Sequence, residues 1–155
     1  MATNPAAGSF VFPKDFQIVD QLGLLTPGWH YFFLQLFNEA RTVSQPFGFA
    51  GIPVAGASIT VPLPYVVTIP PNLDGMTGYA VTPPSSTAVF TVNGINPDGS
   101  VTFLGTITFV PGDHFLSSTA GPGGTVSYGA IQIVAPNPAD ATLAGVVIGL
   151  KYTKS

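Results

Sequence analysis

The chain has 155 residues, enough for one domain that buries roughly 70% of the surface its unfolded form exposes, so a core is feasible without staples. It carries four basic and seven acidic residues, 7% charged where about 25% is usual, with a net charge of -3 and no cysteine. That balance excludes disulfides, thiolate metal centres and a basic surface able to neutralise phosphates, so no nucleic-acid partner is expected.

Mean hydropathy is +0.44. The longest apolar stretch, around residues 143–150, is nevertheless far short of the ~20 residues that cross a bilayer, and no membrane partner is expected. Met1-Ala-Thr-Asn-Pro5 has neither a basic segment nor an apolar one, so no signal peptide is expected. A surface so poor in charge suits a protein held inside a large assembly.

Residues 1–25 read as an extended arm. Ala, Gly, Pro and Asn dominate its start, and Phe10-Val-Phe-Pro13 and Phe16-Gln-Ile-Val19 supply apolar beads. An arm of this composition has no core of its own and needs something to pin it. A helix comes next, with Thr26 as N-cap, Pro27 in the first helical position, and Glu39 and Arg41 at its close. Trp29, Phe32, Phe33, Leu36, Phe37 and Ala40 recur at i, i+3, i+4, i+7, i+8 and i+11, one apolar stripe at helical period. Tyr31 and Leu34 widen that surface beyond one face. Residues 42–50 read as the joint between the helix and a β-domain.

From Gln45 onward the pattern is strands and turns. Residues 58–61, 65–69, 88–92, 101–110, 125–134 and 143–152 are rich in Val, Ile, Thr, Phe and Tyr, with Gly105 as a candidate bulge. Asn72-Leu-Asp-Gly75, Asn93-Gly94, Pro97-Asp-Gly-Ser100, Pro111-Gly112 and Gly121-Pro-Gly-Gly124 punctuate them. With 18 glycines and 16 prolines, this predicts many short strands joined by tight turns: a mainly β, jelly-roll-like β-sandwich over residues 45–155, preceded by the arm and one short amphipathic helix over residues 1–44.

Catalytic chemistry is not expected. His30 sits in the aromatic helix, and His114 comes after Asp113 in a turn-like Pro111-Gly-Asp-His with Ser117 and Ser118 nearby. No Gly-x-Ser-x-Gly elbow accompanies them, and a turn histidine beside an aspartate reads as a solvated turn. Nor is a metal or cofactor site expected, because there is no His-x-x-x-His, no acidic ligand cluster and no phosphate-binding glycine loop. Asn96-Pro-Asp-Gly-Ser100 lacks the further acidic ligands and closing Glu of a calcium loop, and reads as a turn.

The helix stripe has two readings. It packs on the chain's own sandwich, as amphipathic helices do, or it docks on another polypeptide through Trp29, Tyr31, Phe32, Phe33, Leu36 and Phe37. Burying five large apolar side chains gains on the order of 10 kcal/mol gross, so the stripe needs cover of one kind or the other. A lesser candidate is a glycan site built on exposed tyrosines, Tyr65 and Tyr79 first, with Tyr128 and Tyr152 behind them. The plain alternative for each is an edge or subunit-contact tyrosine.

The stretch Phe16-Gln-Ile-Val-Asp-Gln-Leu-Gly-Leu-Leu-Thr-Pro-Gly-Trp-His-Tyr-Phe-Phe-Leu-Gln-Leu-Phe37 resembles the N-terminal segment of small structural proteins of tailed bacteriophages. Val66-Val-Thr-Ile-Pro-Pro-Asn-Leu-Asp-Gly75, Ala88-Val-Phe-Thr-Val-Asn93, Leu104-Gly-Thr-Ile-Thr-Phe109 and Asp140-Ala-Thr-Leu-Ala-Gly-Val-Val-Ile-Gly-Leu150 resemble the β-domain of the same proteins. The resemblance implies a virion component without catalytic residues: a head decoration, a head fibre, or a tail appendage or its adaptor. It also implies trimers that contact major capsid or tail proteins; host-surface glycan is the partner expected if the tyrosines form a sugar site. No fibre repeat separates helix from β-domain here, which favours a compact decoration or adaptor.

Overall fold

A computed structural model describes residues 27–154, and the expected arm over residues 1–25 and the Thr26 cap lie outside the described residues. The chain divides into two compact units, Met1–Thr42 and Val43–Ser155. In the first, helix α1 runs Pro27–Arg41. Proline is tolerated there because the first turn has no partner for its missing N–H, and Arg41 in the last turn complements the carbonyl end.

The second unit is mainly β. Its strands are β1 Thr42–Phe49, β2 Ser58–Pro62, β3 Val66–Ile69, β4 Thr77–Thr82, β5 Ala88–Ile95, β6 Val101–Phe109, β7 Ser118–Ala120, β8 Gly124–Ser127, β9 Ala130–Val134 and β10 Ala144–Lys154. They form two five-stranded sheets. The first has the order β1-β10-β3-β8 with β4 also on β10, and the second β2-β9-β5-β6-β7. The pairs β1·β10, β2·β9, β3·β8 and β5·β6 nest one inside another along the chain, and successive pairs fall in alternate sheets.

Alternation explains the core. Along β5 Ala88, Phe90 and Val92 are buried, and along β10 Val146, Ile148, Leu150 and Tyr152 are, so both sheets turn every second side chain inward. Phe90 lies at the centre, its ring centroid 5.5 Å from Phe49 and 5.9 Å from Phe109.

Four local expectations need correction. Residues 42–50 are a strand and not a joint, because Phe47 and Phe49 alternate into the core while Pro46 sits where an edge strand tolerates it. The strand expected over residues 125–134 is two, one in each sheet. They are separated where Tyr128 takes φ 50 and Gly129 presses on the Ile95 carbonyl too closely for a side chain. Asn93-Gly94 is no turn but lies within β5, since a Cβ on Gly94 would meet the Val126 Cγ2 of the opposite sheet at 2.6 Å. Strands β4 and β7 were not expected at all. The bulge does lie beside Gly105: Val92 pairs with Gly105 and Asn93 with Phe103, which leaves Leu104 as the extra residue.

Residues 114–116 close one side of the sandwich. Ala80 N–H donates to the His114 carbonyl (2.8 Å) and Leu116 N–H to that of Gly78 (3.0 Å), while Ser117 N–H donates to Thr108 O (2.9 Å). The chain thus passes from the edge of β4, which it covers, to the side of β6, where it continues as β7. Truncating the central ring should be costly: Phe90→Ala is expected to lose about 3–5 kcal/mol of stability, measured by urea unfolding with an unchanged m-value.

Candidate functional site

Three clusters hold the side chains from which chemistry or recognition is built. The first is the ring ridge of α1. Trp29 lies 5.5 Å from Phe32 and 5.7 Å from Phe33, and Phe32 and Phe33 are 5.6 Å apart, so the helical spacing brings three rings into mutual contact. Tyr31 is 70% exposed, and Phe33, Leu34 and Leu36 are each more than two-fifths exposed. The Phe37 side chain lies outside the described residues.

The second cluster stands on the outer face of the first sheet. Tyr79 of β4 faces Phe115 across an antiparallel bridge, ring centroids 5.5 Å apart, and stacks on His114 at 6.0 Å with 18° between the planes. Val147 of β10 lies directly opposite Tyr79 on the other side, and Val81 comes next on the same face of β4. His114 is exposed to solvent, as the sequence suggests, but its backbone lies just past the turn. Asp113 closes the turn by donating its N–H to Val110 O (3.2 Å), and His114 already belongs to the pairing with β4.

No Ser–His–Asp relay is formed there. His114 Nδ1 engages Ala80 O at 2.9 Å, Asp113 Oδ1 accepts from Phe115 N–H at 3.2 Å, and Ser117 Oγ accepts from Val110 N–H at 3.0 Å, so each group is committed to backbone. Tyr65, the other tyrosine expected to meet a sugar, is engaged elsewhere. Its hydroxyl is 3.2 Å from that of Tyr152, and the Lys154 ammonium sits 4.4 Å from its ring centre. Burial, and then the Tyr65 hydroxyl, push the Tyr152 phenol up to about 12. Tyr128 is 67% exposed at its turn.

The third cluster centres on Asp140, the buried charged residue of the described chain. Its carboxylate accepts from the backbone N–H groups of Ser85, Ser86, Thr142 and Leu143 and from the hydroxyls of Ser85, Ser86 and Thr142, at 2.7 to 3.2 Å. Burial alone would raise this acid. The bonds from Thr142, Ser86 and Leu143 outweigh it and hold the carboxyl well below the usual carboxylate range. Among the described residues no group of three or more His, Asp or Glu is placed to hold a metal, and no helix is long and apolar enough to cross a membrane. Asp98 Oδ1 accepts from Ser100 N–H and Oγ–H, closing the Asn96-to-Ser100 segment as a turn.

No family model, curated protein or solved structure matches the chain. Function is therefore read from what these surfaces can bind.

Sequence reasoning reached Tyr79 and the helix ridge and named His114 only as a turn residue, but it missed Phe115 and the Asp140 clamp. Asp140-x-Thr142 is an Asx-turn spacing and signals half of that clamp, whereas nothing local connects it to Ser85 and Ser86. Because the folded carboxyl is depressed, its stabilisation is complete above about pH 4 and is lost as pH falls below that, toward its folded value. Asp140→Asn is thus expected to lower Tm by about 5 °C or more at pH 7, with the gap to the parent narrowing in thermal melts below about pH 4.

Proposed function

We propose that this chain is a structural component of a tailed-phage virion, decorating or cementing the particle, or adapting an appendage, through its N-terminal arm and helix. The observation that carries this reading is the apolar surface that α1 leaves exposed. Tyr31, Phe33, Leu34 and Leu36 all present apolar surface to solvent on one short helix. Water is a poor medium for such a surface, and a neighbouring subunit removes it at roughly 25 cal/mol per Å².

Two further features support the reading. All five strands of the second sheet, β2, β9, β5, β6 and β7, lack any Asp, Glu, Lys, Arg or His. A sheet face without charge meets another copy, or another virion protein, without repulsion or the desolvation of ions. The nested strand pairs are what a jelly roll requires, a fold common in viral particles. The resemblance to phage structural proteins points to trimers and to major capsid or tail proteins as partners, with the virion as the place of residence and no catalytic role.

A second reading, a carbohydrate- or receptor-binding module of a head or tail fibre, is favoured by the exposed rings of Tyr79 and Phe115. The structural reading is tested by placing charge on the ridge: with Phe33→Glu and Leu36→Glu together, the chain should keep its β circular dichroism but enter particles at roughly one tenth of the normal copy number or less. Normal copy number in purified particles carrying the double variant would sink the reading.

A further inference from the structure

We propose that the rings of Tyr79 and Phe115, with His114 beside them, form a platform for an uncharged hexopyranose, a terminal or internal residue of a neutral glycan. This rests on the carbohydrate-binding reading and gives it a site and a ligand class. Residues 79 and 115 form a non-hydrogen-bonded antiparallel pair, because the flanking bonds run from Ala80 N–H to His114 O and from Leu116 N–H to Gly78 O. Side chains approach most closely in such pairs, so the two rings are held side by side by backbone geometry before any ligand arrives.

His114 adds orientation. Its Nδ1 lies 2.9 Å from the Ala80 carbonyl, which can only accept, so that nitrogen donates and Nε2 is left for a ligand. Asp113 is anchored next to it through Oδ1 and Phe115 N–H. Ring faces suit the C–H face of a pyranose, and an imidazole nitrogen and a carboxylate suit its hydroxyls. On the neighbouring strand Val147 rises between Gly145 and Gly149. Side chains there would fall 2.7 Å from Val81 Cγ2 and 2.6 Å from Thr77 Oγ1, so the floor around it stays low.

Area and charge together favour a sugar over a protein partner. Tyr79 is 44%, Phe115 65%, Val81 63% and Val147 49% exposed. That amounts to roughly 400 Å² of apolar surface, about half of the ~800 Å² each partner buries in a standard protein interface but ample for a sugar ring. Neither β4 nor residues 110–117 contain Lys or Arg, so the carboxylate of a sialic or uronic acid would face Asp113 without a counter-charge.

Saturation-transfer NMR on the full chain tests this with methyl glycosides of glucose, galactose, mannose and N-acetylglucosamine, and with sialyllactose as the charged arm. At least one neutral glycoside should bind, and its affinity should fall roughly tenfold or more in both Tyr79→Ala and Phe115→Ala, with circular dichroism unchanged. Binding of sialyllactose alone would overturn the ligand class. A neutral sugar bound equally well by both variants would overturn the site while leaving the carbohydrate reading standing, and no sugar bound by the parent protein would sink both. If Phe115→Ala instead converts an oligomer to monomer in sedimentation, the platform is a subunit contact and the proposal fails. Particle incorporation is a separate readout, unaffected by these two substitutions if the virion reading holds.

Discussion

Pairing the first strand with the last is the constraint on which the β-unit depends. Strand β1 lies beside β10, and each inner pair, β2·β9, β3·β8 and β5·β6, is closed by a shorter stretch of chain than the one outside it. Only the innermost of these is a true hairpin. The others bring together segments far apart in sequence, so their loop-closure entropy is offset only when both sheets meet and the inward side chains are dry. Phe90, packed between Phe49 of β1 and Phe109 of β6, ties the outermost pair to the innermost one.

Scarcity of charge shapes the rest. With so few ions, the protein can bury a carboxylate only by surrounding it with neutral donors, and Asp140 shows how many that takes. Ser85 and Ser86 reach it from the segment before β5, Thr142 and Leu143 from the segment before β10. The carboxylate therefore ties together two loops at one end of the sandwich, just beyond the Thr82–Ala144 end of the β4·β10 pairing. A hydrophobic residue in its place would leave four backbone N–H groups without an acceptor, which is why the site is costly to change although no ion pair is lost.

Much of the fold was legible because burial imposes periods. The helix stripe at 3.6 residues and the β-rich composition of the segments that become β5, β6 and β10 are visible without a structure, as is the class of two packed sheets. What escaped were segments whose identity depends on a distant partner. Strand β4 reads Thr-Gly-Tyr-Ala-Val-Thr, too weak a pattern alone, and is fixed by β10 on one side and residues 114–116 on the other. Gly94 looked like a turn signal beside Asn93, but its missing side chain serves Val126 across the core. The same glycine chemistry supports opposite local readings, and only the neighbour decides between them.

The site was half legible for a related reason. A tyrosine in a strand announces an aromatic ring but not its company, and Tyr65 and Tyr79 look alike in sequence. Structure separates them: Tyr65 is drawn toward the core by the Tyr152 hydroxyl, while Tyr79 is turned outward by its place on β4 and widened by Phe115. Phe115 itself follows directly on the turn-like Pro111-to-His114 segment and carries no signal of its own in the sequence. Once Asp113 ends that turn, the next residues must satisfy their backbone groups along β4, and that requirement brings a second ring beside Tyr79. The outward aromatic pair is thus a consequence of closing the sheet edge on a charge-poor sandwich.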